Sequence, residues 1–431
     1  MSTPAVRPAT LRKLFVRLIP FLVLLYVVAF LDRVNIGFAA LQMNADVGFS
    51  ATQFGVGSGM FFIGYCLSEV PSNLILARVG ARLWMARIMI TWGLLAAAMM
   101  FIHTVHQFYL LRLLLGVAEA GFFPGAVFYL GLWFPEASRA RAIAAFMLGI
   151  PLSGIIGGPL SGGLLGLGGH LGLAGWQWLF LLEGLPAVLL AFVVLRFLDD
   201  APEQARWLDV SERAELGASL RAESDARGEL RSRSVWQTLL NPTVWLLGII
   251  FLLANMGFYG YVIWSPQIIK TVAGGGNVQT GLIAGSISLA MAVAMIANGR
   301  HSDCSGERYL HVALPLCLMA AGFLGSVSLS SPTLSLCALA LVPMGIGAAY
   351  GPFYAIPGAL LADNAAAAGI ALIASLANVG GFVGPALIGW MKDRNGGYHG
   401  SFLILSVMAI ASAGLMLYVR ASRQRAAAHS C

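Results

Sequence analysis

Charged side chains are scarce in this chain. Asp, Glu, Lys and Arg together make up 10% of its 431 residues, whereas 58% are hydrophobic and the mean hydropathy is +0.81. An ordinary soluble domain has about 25% charged residues, so this composition excludes that class and indicates a membrane protein. Cysteine is also rare. The five cysteines are dispersed, which excludes a disulfide framework or a zinc spacing and favours small packing residues.

The sequence also lacks the patterns that carry catalysis. We find no nucleophile paired with a base, no phosphate-binding loop and no metal cluster, because His103 and His106 lack a third ligand. We therefore expect neither an enzyme nor a resident cofactor or metal. The net charge of +7 comes from scattered basic residues and forms no stripe interleaved with aromatics, so nucleic-acid binding is not indicated. A receptor or scaffold would need a larger soluble module.

Long apolar runs recur from one end of the chain to the other. A helix needs about 20 apolar residues to cross ~30 Å of hydrocarbon. The sequence therefore predicts an all-α membrane protein with twelve transmembrane helices. The expected spans are 17–39, 54–77, 84–103, 107–132, 142–167, 177–197, 242–268, 278–298, 310–330, 333–356, 366–390 and 400–420.

The basic residues predict the orientation in the membrane. Most of the 26 Lys and Arg residues fall in loops on one side, among them Arg7, Arg12, Arg139, Arg141 and Arg420. By the positive-inside rule both termini are cytoplasmic. Residues 1–16 are polar and basic and the first apolar run is long enough to span, so no cleaved signal peptide is expected. Arginine far exceeds lysine and alanine is abundant, which favours a bacterial source and hence a cell inner membrane.

A polar stretch divides the predicted spans into two sets of six. It covers residues 199–240, and within it Asp209 followed by Glu212 predicts the start of a helix. We expect an N-terminal six-helix half at 1–198, a cytoplasmic linker at 199–240, and a C-terminal six-helix half at 241–431. This is the organisation of transporters whose substrate site lies between two halves that rock.

The two predicted halves repeat each other at an offset of 226 residues. The matching positions in the fifth span of each half are Gly154, Gly158 and Pro159 with Gly380, Gly384 and Pro385. Such glycines let helix backbones approach closely, so we expect these spans at the interface between the halves. The loop after the second span of each half also matches, with Asn73, Ala77, Gly80 and Arg82 against Gly299, Asp303, Gly306 and Arg308. There we expect Asp303, Arg300 and Arg308 to form a cytoplasmic gate.

Four charged residues stand out inside the predicted spans: Asp32, Arg33, Arg112 and Glu119. A charge at the bilayer centre costs from ~2.5 to over 10 kcal/mol, so such residues face a protein or water-filled interior. Seven residues separate Arg112 from Glu119, which places both on one helix face. Asp32 and Arg112 have similar depth and are expected to pair. An arginine stays charged whereas a carboxylate can take up a proton, so protonation of the acids would free the arginines for an anion. The alternative is an ion-pair network that only fixes helix packing.

Uncharged residues occupy the four matching positions of the second half. We therefore expect that half to contact the rest of the substrate through hydroxyl, amide and aromatic groups. The candidates are Tyr261, Tyr350, Ser375 and Asn378, with Asn378 favoured because it precedes the close-packed GGFVGP run. Glu69 and Glu183 also lie in or near spans, where turn-like or small neighbours favour helix capping or pairing between helices.

Several motifs, taken in order, resemble one family. They are DRVNIGFA, FFIGYCLSEVPSN, RLLLGVAEAGFFPG, WFPEASRARA and GWQWLFLLEGLPA, followed in the second half by YVIWSPQIIK. The chain resembles the major facilitator superfamily and, within it, the anion:cation symporter branch with its bacterial importers of tartrate, sugar acids and aromatic acids. The resemblance implies that Asp32 and Glu119 carry protons and that Arg33, Arg112 and Tyr65 contact the anion. Asn73 and Ala77 depart from the glycine and aspartate of the family's loop motif.

Together these patterns predict proton-coupled import of a small organic anion by alternating access. The substrate class is tartrate, a sugar acid or an aromatic carboxylate, and the partners are protons and the lipid bilayer. We expect a monomer. An anion exchanger or an efflux transporter without proton coupling is the alternative, since the same arginines would serve it.

Overall fold

The computed structural model describes residues 6–229, 240–360 and 363–429. These ranges contain fifteen α-helices. They are α1 (Pro8–Val47), α2 (Ala51–Val79), α3 (Ala81–Ala98), α4 (Val105–Glu119), α5 (Phe122–Trp133), α6 (Glu136–Met147), α7 (Gly149–Leu164), α8 (Gly175–Phe197), α9 (Val210–Glu229), α10 (Pro242–Ala273), α11 (Asn277–Ser305), α12 (Leu310–Ser328), α13 (Pro332–Leu360), α14 (Asp363–Asn395) and α15 (His399–His429).

Twelve segments of the described chain are long and apolar enough to cross a membrane. The all-α membrane fold and the number of spans predicted from the sequence are thereby confirmed. The fourth span consists of α4 and α5, and the fifth of α6 and α7. Most helices extend beyond the predicted apolar runs, because a helix continues into the polar layers once its backbone hydrogen bonds are formed. The first span, for example, covers Pro8–Val47.

Helix α9 lies in the predicted linker, of which residues 230–239 fall outside the described residues. It begins with the predicted capping arrangement: the Glu212 N–H donates to Asp209 Oδ1 at 2.7 Å, and the Asp209 N–H donates to Glu212 Oε2 at 3.0 Å. The bond from the Glu212 backbone holds the pKa of the Asp209 carboxyl below its ordinary value. Ion pairs of Lys13 with Glu212 (2.5 Å) and of Arg139 with Glu223 (2.9 Å) tie α9 to the first six spans.

Because successive spans alternate in direction, the bundle has two distinct ends. We call the end that carries α9 and the start of α1 the linker end, and the opposite end the far end. The last six spans close on the first six towards the far end. A Cβ on Gly55 of α2 would lie 2.4 Å from the Pro385 carbonyl oxygen, and one on Gly158 of α7 would lie 2.5 Å from that of Gly281. Only glycine permits such an approach of two backbones.

The repeated glycine motifs are used differently in the two sets of spans. Gly158 faces α11 across the contact between the sets, as the repeat predicted. In α14, however, Gly380 and Gly384 face the backbone of Leu252 and Met256 in α10, within the last six spans. The expectation that this span lies at the interface is nevertheless met, because Pro385 of the same motif contacts Gly55 of α2. Helix α14 therefore has close contacts on two faces: Gly380 and Gly384 face α10, and Pro385 faces α2.

Candidate functional site

A close contact between α2 and α4 places aromatic residues of α2 beside two of the predicted charged residues. A Cβ on Gly116 would lie 1.9 Å from the carbonyl oxygen of Phe61, and one on Gly64 would lie 2.1 Å from that of Leu113. The two backbones therefore touch at two levels. As a result, Phe61 and Tyr65 of α2 lie against the part of α4 that carries two of the predicted charges.

The fourth span is broken directly after Glu119. Helix α4 ends there, Gly121 has a φ of 91°, and α5 begins at Phe122. Glycine adopts this left-handed conformation without the steric penalty of other residues. The Ser72 hydroxyl of α2 donates to the Ala120 carbonyl at 2.6 Å, which satisfies one of the carbonyls that the break leaves open. Glu119 thus lies at the carboxyl end of a half-helix, where the partial negative charge of the helix dipole disfavours an ionised carboxylate.

Arg33 and Glu119 form an ion pair inside the bundle. Nε and Nη2 of Arg33 donate to the same oxygen, Oε1 of Glu119, at 2.8 and 2.5 Å. Glu119 is fully buried, and no described group bonds its second oxygen. The guanidinium carbon of Arg33 lies 5.1 Å from the ring centroid of Tyr65 and 5.3 Å from that of Phe61, within cation–π distance.

Asp32 and Arg112 do not pair with each other, so that part of the sequence prediction is wrong. Asp32 instead accepts hydrogen bonds from Trp92 Nε1 and from Asn35 Nδ2. Arg112 donates from Nη2 to the carbonyl oxygen of Ser58 at 3.1 Å, and its buried Nε has no described partner. The reason is packing: Asp32 faces α3, whereas the contact between α2 and α4 presses Arg112 against the α2 backbone.

A cavity of about 90 Å³ lies between the first six and the last six spans. Its charged groups, Arg33 and Glu69, come from the first six spans, and its two amides, Asn255 and Asn378, come from the last six. Five tyrosine side chains complete the polar lining. The cavity is lined by Tyr26, Phe30, Arg33, Tyr65, Glu69, Phe123, Met147, Ile150, Phe251, Asn255, Tyr259, Tyr350, Tyr354, Ala374, Ala377 and Asn378.

Four residues predicted to bind substrate line this cavity: Arg33, Tyr65, Tyr350 and Asn378. Other predicted residues lie elsewhere. Tyr261 lines a separate cavity between α1, α7, α10 and α11. Ser375 is half-buried and is not in the described lining, although its neighbour Ala374 is. Asp32, Arg112 and Glu119 are buried behind the cavity wall, so Arg33 is the predicted ion-pair residue that faces the cavity.

Glu69 pairs between helices, which is one of the two roles expected for it, and it also lines the cavity, which the sequence did not indicate. Its Oε2 accepts a hydrogen bond from Asn378 Nδ2 across the two sets of spans at 3.5 Å. The EVPSN segment looked like a turn, but α2 continues through Pro71 to Val79, so Glu69 is in the middle of a helix. Its position four residues after Tyr65, on the same helix face, was the signal that could have found it.

Glu183 pairs between helices, as expected for it. Its carboxylate accepts a hydrogen bond from the Ser161 hydroxyl at 2.7 Å, which joins α8 to α7. The second oxygen is buried and has no described partner. Glu183 is 2% exposed, so it belongs to the interior of the first six spans and not to the cavity lining.

The predicted gate residues lie at the linker end. Arg308 bonds Asp303 at 2.5 Å and donates to Ser302 Oγ at 3.0 Å, so this pair closes a turn within the last six spans. Arg300 is exposed, and the described ion pairs do not join it to Asp303. At the far end, by contrast, a carboxylate does bridge the two sets of spans. Asp393 of α14 accepts the backbone N–H groups of Ala51 (3.0 Å) and Thr52 (2.7 Å) and thereby caps α2.

Twelve spans around a polar cavity form the architecture of a secondary transporter. The chain belongs to the Major Facilitator Superfamily, whose family model matches residues 22–385. It is therefore a multi-pass membrane transporter and not an enzyme.

Relatives and a solved structure agree with this assignment. The chain is 48% identical to a putative tartrate transporter of Agrobacterium vitis over 96% of this chain and 92% of the relative. It is 40% identical to a quinolone resistance transporter of Acinetobacter baumannii, over 96% of both chains. The fold also matches a crystal structure of a bacterial homolog of the human lysosomal transporter Spinster, in an inward-facing and occupied conformation. The TM-score is 0.76 at 17% sequence identity, and the match covers 94% of this chain and 96% of the homolog's chain.

Proposed function

We propose that this transporter imports a small organic anion together with protons by alternating access. The substrate class is a carboxylate such as tartrate, a sugar acid or an aromatic acid. Glu119 and Asp32 carry the protons, while Arg33, Tyr65, Tyr350 and Asn378 contact the anion. In this structure Arg112 lies behind Phe61, so it contacts the anion only in a rearranged conformation. The name of the Agrobacterium vitis relative supports the choice of substrate class.

The proposal depends on one observation, the ion pair between Arg33 and Glu119. Two donors of the cavity's arginine are held by one buried carboxylate oxygen at 2.8 and 2.5 Å. A substrate carboxylate needs the same donors for a bidentate contact. The anion therefore takes Arg33 when a proton neutralises Glu119, and an anion leaving Arg33 lets Glu119 release its proton and pair again. Binding of the anion and binding of the proton are coupled by this competition.

The charge balance around the cavity supports the same coupling. The charged residues that are buried in the first six spans or line the cavity are four carboxylates and two arginines, Arg33 and Arg112. The carboxylates are Asp32, Glu69, Glu119 and Glu183. With all of them ionised, the region carries excess negative charge, which repels an entering anion. Protons must therefore accompany the anion if it is to bind there.

Alternating access follows from the two ends of the bundle. We propose that residues 1–198 and 241–431 are the two lobes, joined by the linker at 199–240, and that they rock about the cavity. In this structure their close contacts lie towards the far end, where Gly55 meets Pro385 and Asp393 caps α2. With both termini cytoplasmic in an inner membrane, that end faces outward. The lobes surround the cavity within one chain, so a monomer suffices.

Replacing Glu119 with Gln tests the coupling. Gln mimics the protonated side chain, so we expect the variant to lose accumulation driven by an imposed pH gradient while it still exchanges substrate across the membrane. The measurement is uptake of labelled tartrate, sugar acids and aromatic acids into proteoliposomes, with and without the gradient. The Glu203→Gln variant makes the same change in the exposed linker and should behave as the parent protein. Gradient-driven accumulation by the Glu119→Gln protein would refute a coupling role.

Efflux is the second candidate function. The name of the relative from Acinetobacter baumannii favours it, and the cavity would accept the carboxylate of a quinolone at Arg33. Uptake measured in both orientations of the gradient separates the two. An exporter would move its substrate out of the compartment against the inward proton flow.

A further inference from the structure

Glu69 has no role in the competition between an anion and Glu119 for Arg33, yet it lines the same cavity. It lies one helix turn from Tyr65, towards the linker end, and the Arg33 guanidinium lies over the Tyr65 ring at 5.1 Å. One turn is about 5.4 Å along the axis. The cavity therefore presents a cation at one level and a carboxylate about one turn away.

The second carboxylate oxygen of Glu69 is free to contact a ligand. Asn378 bonds Oε2, whereas Oε1 has no hydrogen bond with any described group. Nor is Oε1 among the fully buried unpaired atoms, so it keeps accessible surface on a residue that lines the cavity. A carboxylate accepts hydrogen bonds and donates none when ionised. It therefore attracts a hydroxyl, an N–H or a protonated carboxyl, and it repels a second negative charge.

We propose that Glu69, positioned by Asn378, determines specificity: it selects monoanions whose end opposite the carboxylate donates a hydrogen bond. The inference rests on the proposed function, because Arg33 must hold the carboxylate of the anion. The five tyrosines and Asn255 around the cavity suit a hydroxylated substrate in the same way. A dicarboxylic acid enters as its monoanion, with the protonated carboxyl donating to Glu69.

The test is direct binding of three probes that differ at one end: 4-hydroxybutyrate, 4-methoxybutyrate and succinate. The first donates a hydrogen bond, the second only accepts, and the third is a dianion at neutral pH. Binding is read as the ligand-induced rise in melting temperature of the purified full-length protein, titrated to a Kd for each probe. We expect 4-hydroxybutyrate to bind about tenfold or more tightly than the other two, because a site built to bond a donor rejects an analogue that lacks it.

Variants then assign the preference to Glu69. Glu69→Met removes the acceptor at similar size and should bring all three Kd values within about threefold. Glu69→Gln keeps an acceptor oxygen but removes the charge, so it should relieve the rejection of succinate by about tenfold and keep part of the hydroxyl preference. Glu203→Gln in the linker is the matched control and should leave the ratios unchanged.

The inference is overturned if the parent protein binds the hydroxyl and methoxy probes equally, if it binds none of them, or if Glu69→Met keeps the parent's ratios. None of these binding measurements depends on a proton gradient. If the parent protein shows no gradient-driven uptake, the proposed symport is refuted, and the binding ratios still test the role of Glu69 separately.

Discussion

Two arginines inside the same bundle have different surroundings, and this difference has a functional consequence. Arg33 faces the cavity and shares its donors with Glu119, whereas Arg112 is 2% exposed and donates to the backbone of Ser58. Both guanidinium carbons lie within 5.3 Å of the Phe61 ring centroid, 5.3 Å for Arg33 and 5.1 Å for Arg112. Because Phe61 contacts both arginines, a movement of one arginine would displace the Phe61 ring and thereby affect the other.

Arg33→Lys should weaken binding of the anion about tenfold or more. Lysine keeps the charge but cannot form the two-donor contact, and a hydrogen bond to a charged group is worth ~1.5–3 kcal/mol. The measurement is the Kd of a carboxylate probe by ligand-induced thermal stabilisation. Arg112→Lys is the comparison, and in the conformation described here it should change Kd by a smaller factor. Equal losses for the two variants would show that the anion contacts both arginines in one conformation.

For individual residues, the sequence predicted which charged side chains are buried better than it predicted the groups that they contact. Charge within an apolar run identified Asp32, Arg33, Arg112 and Glu119 as interior residues, because burial of a charge is costly. Helix periodicity fixes the face of a side chain but not the neighbouring helix it meets. The contact of Asp32 with Trp92 therefore came from packing against α3, which no spacing within α1 could indicate, whereas its other partner, Asn35, lies three residues along α1. Glu69 pairs between helices as one of its expected roles, but the turn-like EVPSN segment gave no sign that it lines the cavity.

The elements show how glycine determines which helices approach most closely. The contact between α2 and α4 places a hypothetical Gly116 Cβ 1.9 Å from a backbone oxygen, so the side chains of Phe61 and Tyr65 reach the ion pair only while this contact is intact. The break at Gly121 has a second effect, because it ends α4 at Glu119. The sequence predicted one span here, and the break became visible only with the φ of Gly121.

Gly116→Ala should destabilise the protein by ~1–3 kcal/mol, the usual cost of overpacking, because a backbone oxygen cannot move aside as a flexible side chain would. The melting temperature in detergent measures this loss. Gly163→Ala is the matched control: Gly163 also lies inside a helix, in α7, but a Cβ there meets no atom within 4 Å. That variant should melt at or slightly above the parent temperature, since alanine favours the helix. Equal melting temperatures for both variants would mean that α2 and α4 are not in close contact.

An element boundary was predictable where a local signal marks it. The Asp209–Glu212 capping pair marked the start of α9 correctly because its hydrogen bonds are formed within four residues. The ends of the spans were less predictable, since hydropathy reports the hydrocarbon layer and not where the helical hydrogen bonds stop. The twelve spans themselves were clear because each needs a long apolar run.

On the scale of the whole molecule, the two ends of the bundle are held differently. Towards the far end, glycine contacts bring the two sets of spans together, and Asp393 caps α2 from α14 with bonds of 3.0 and 2.7 Å. The gate predicted at the linker end is a pair within the last six spans in this structure. Sequence repeats could not reveal the far-end cap, because it joins residues more than 340 positions apart.

Asp393→Ala should therefore shift the transporter towards conformations that are open at the far end. Loss of a helix cap costs about 1 kcal/mol, which corresponds to roughly a fivefold change in the ratio of two conformations. Distances between spin labels at Ala45 and Asn395, one on each set of spans, measure the populations. Asp200→Ala is the matched control, because Asp200 of the linker accepts the Arg82 N–H at the start of α3 and does not join the two sets of spans. It should leave the distance distribution unchanged. If the distribution of Asp393→Ala also matches that of the parent protein, the cap does not hold the far end closed, and the glycine contacts alone must do so.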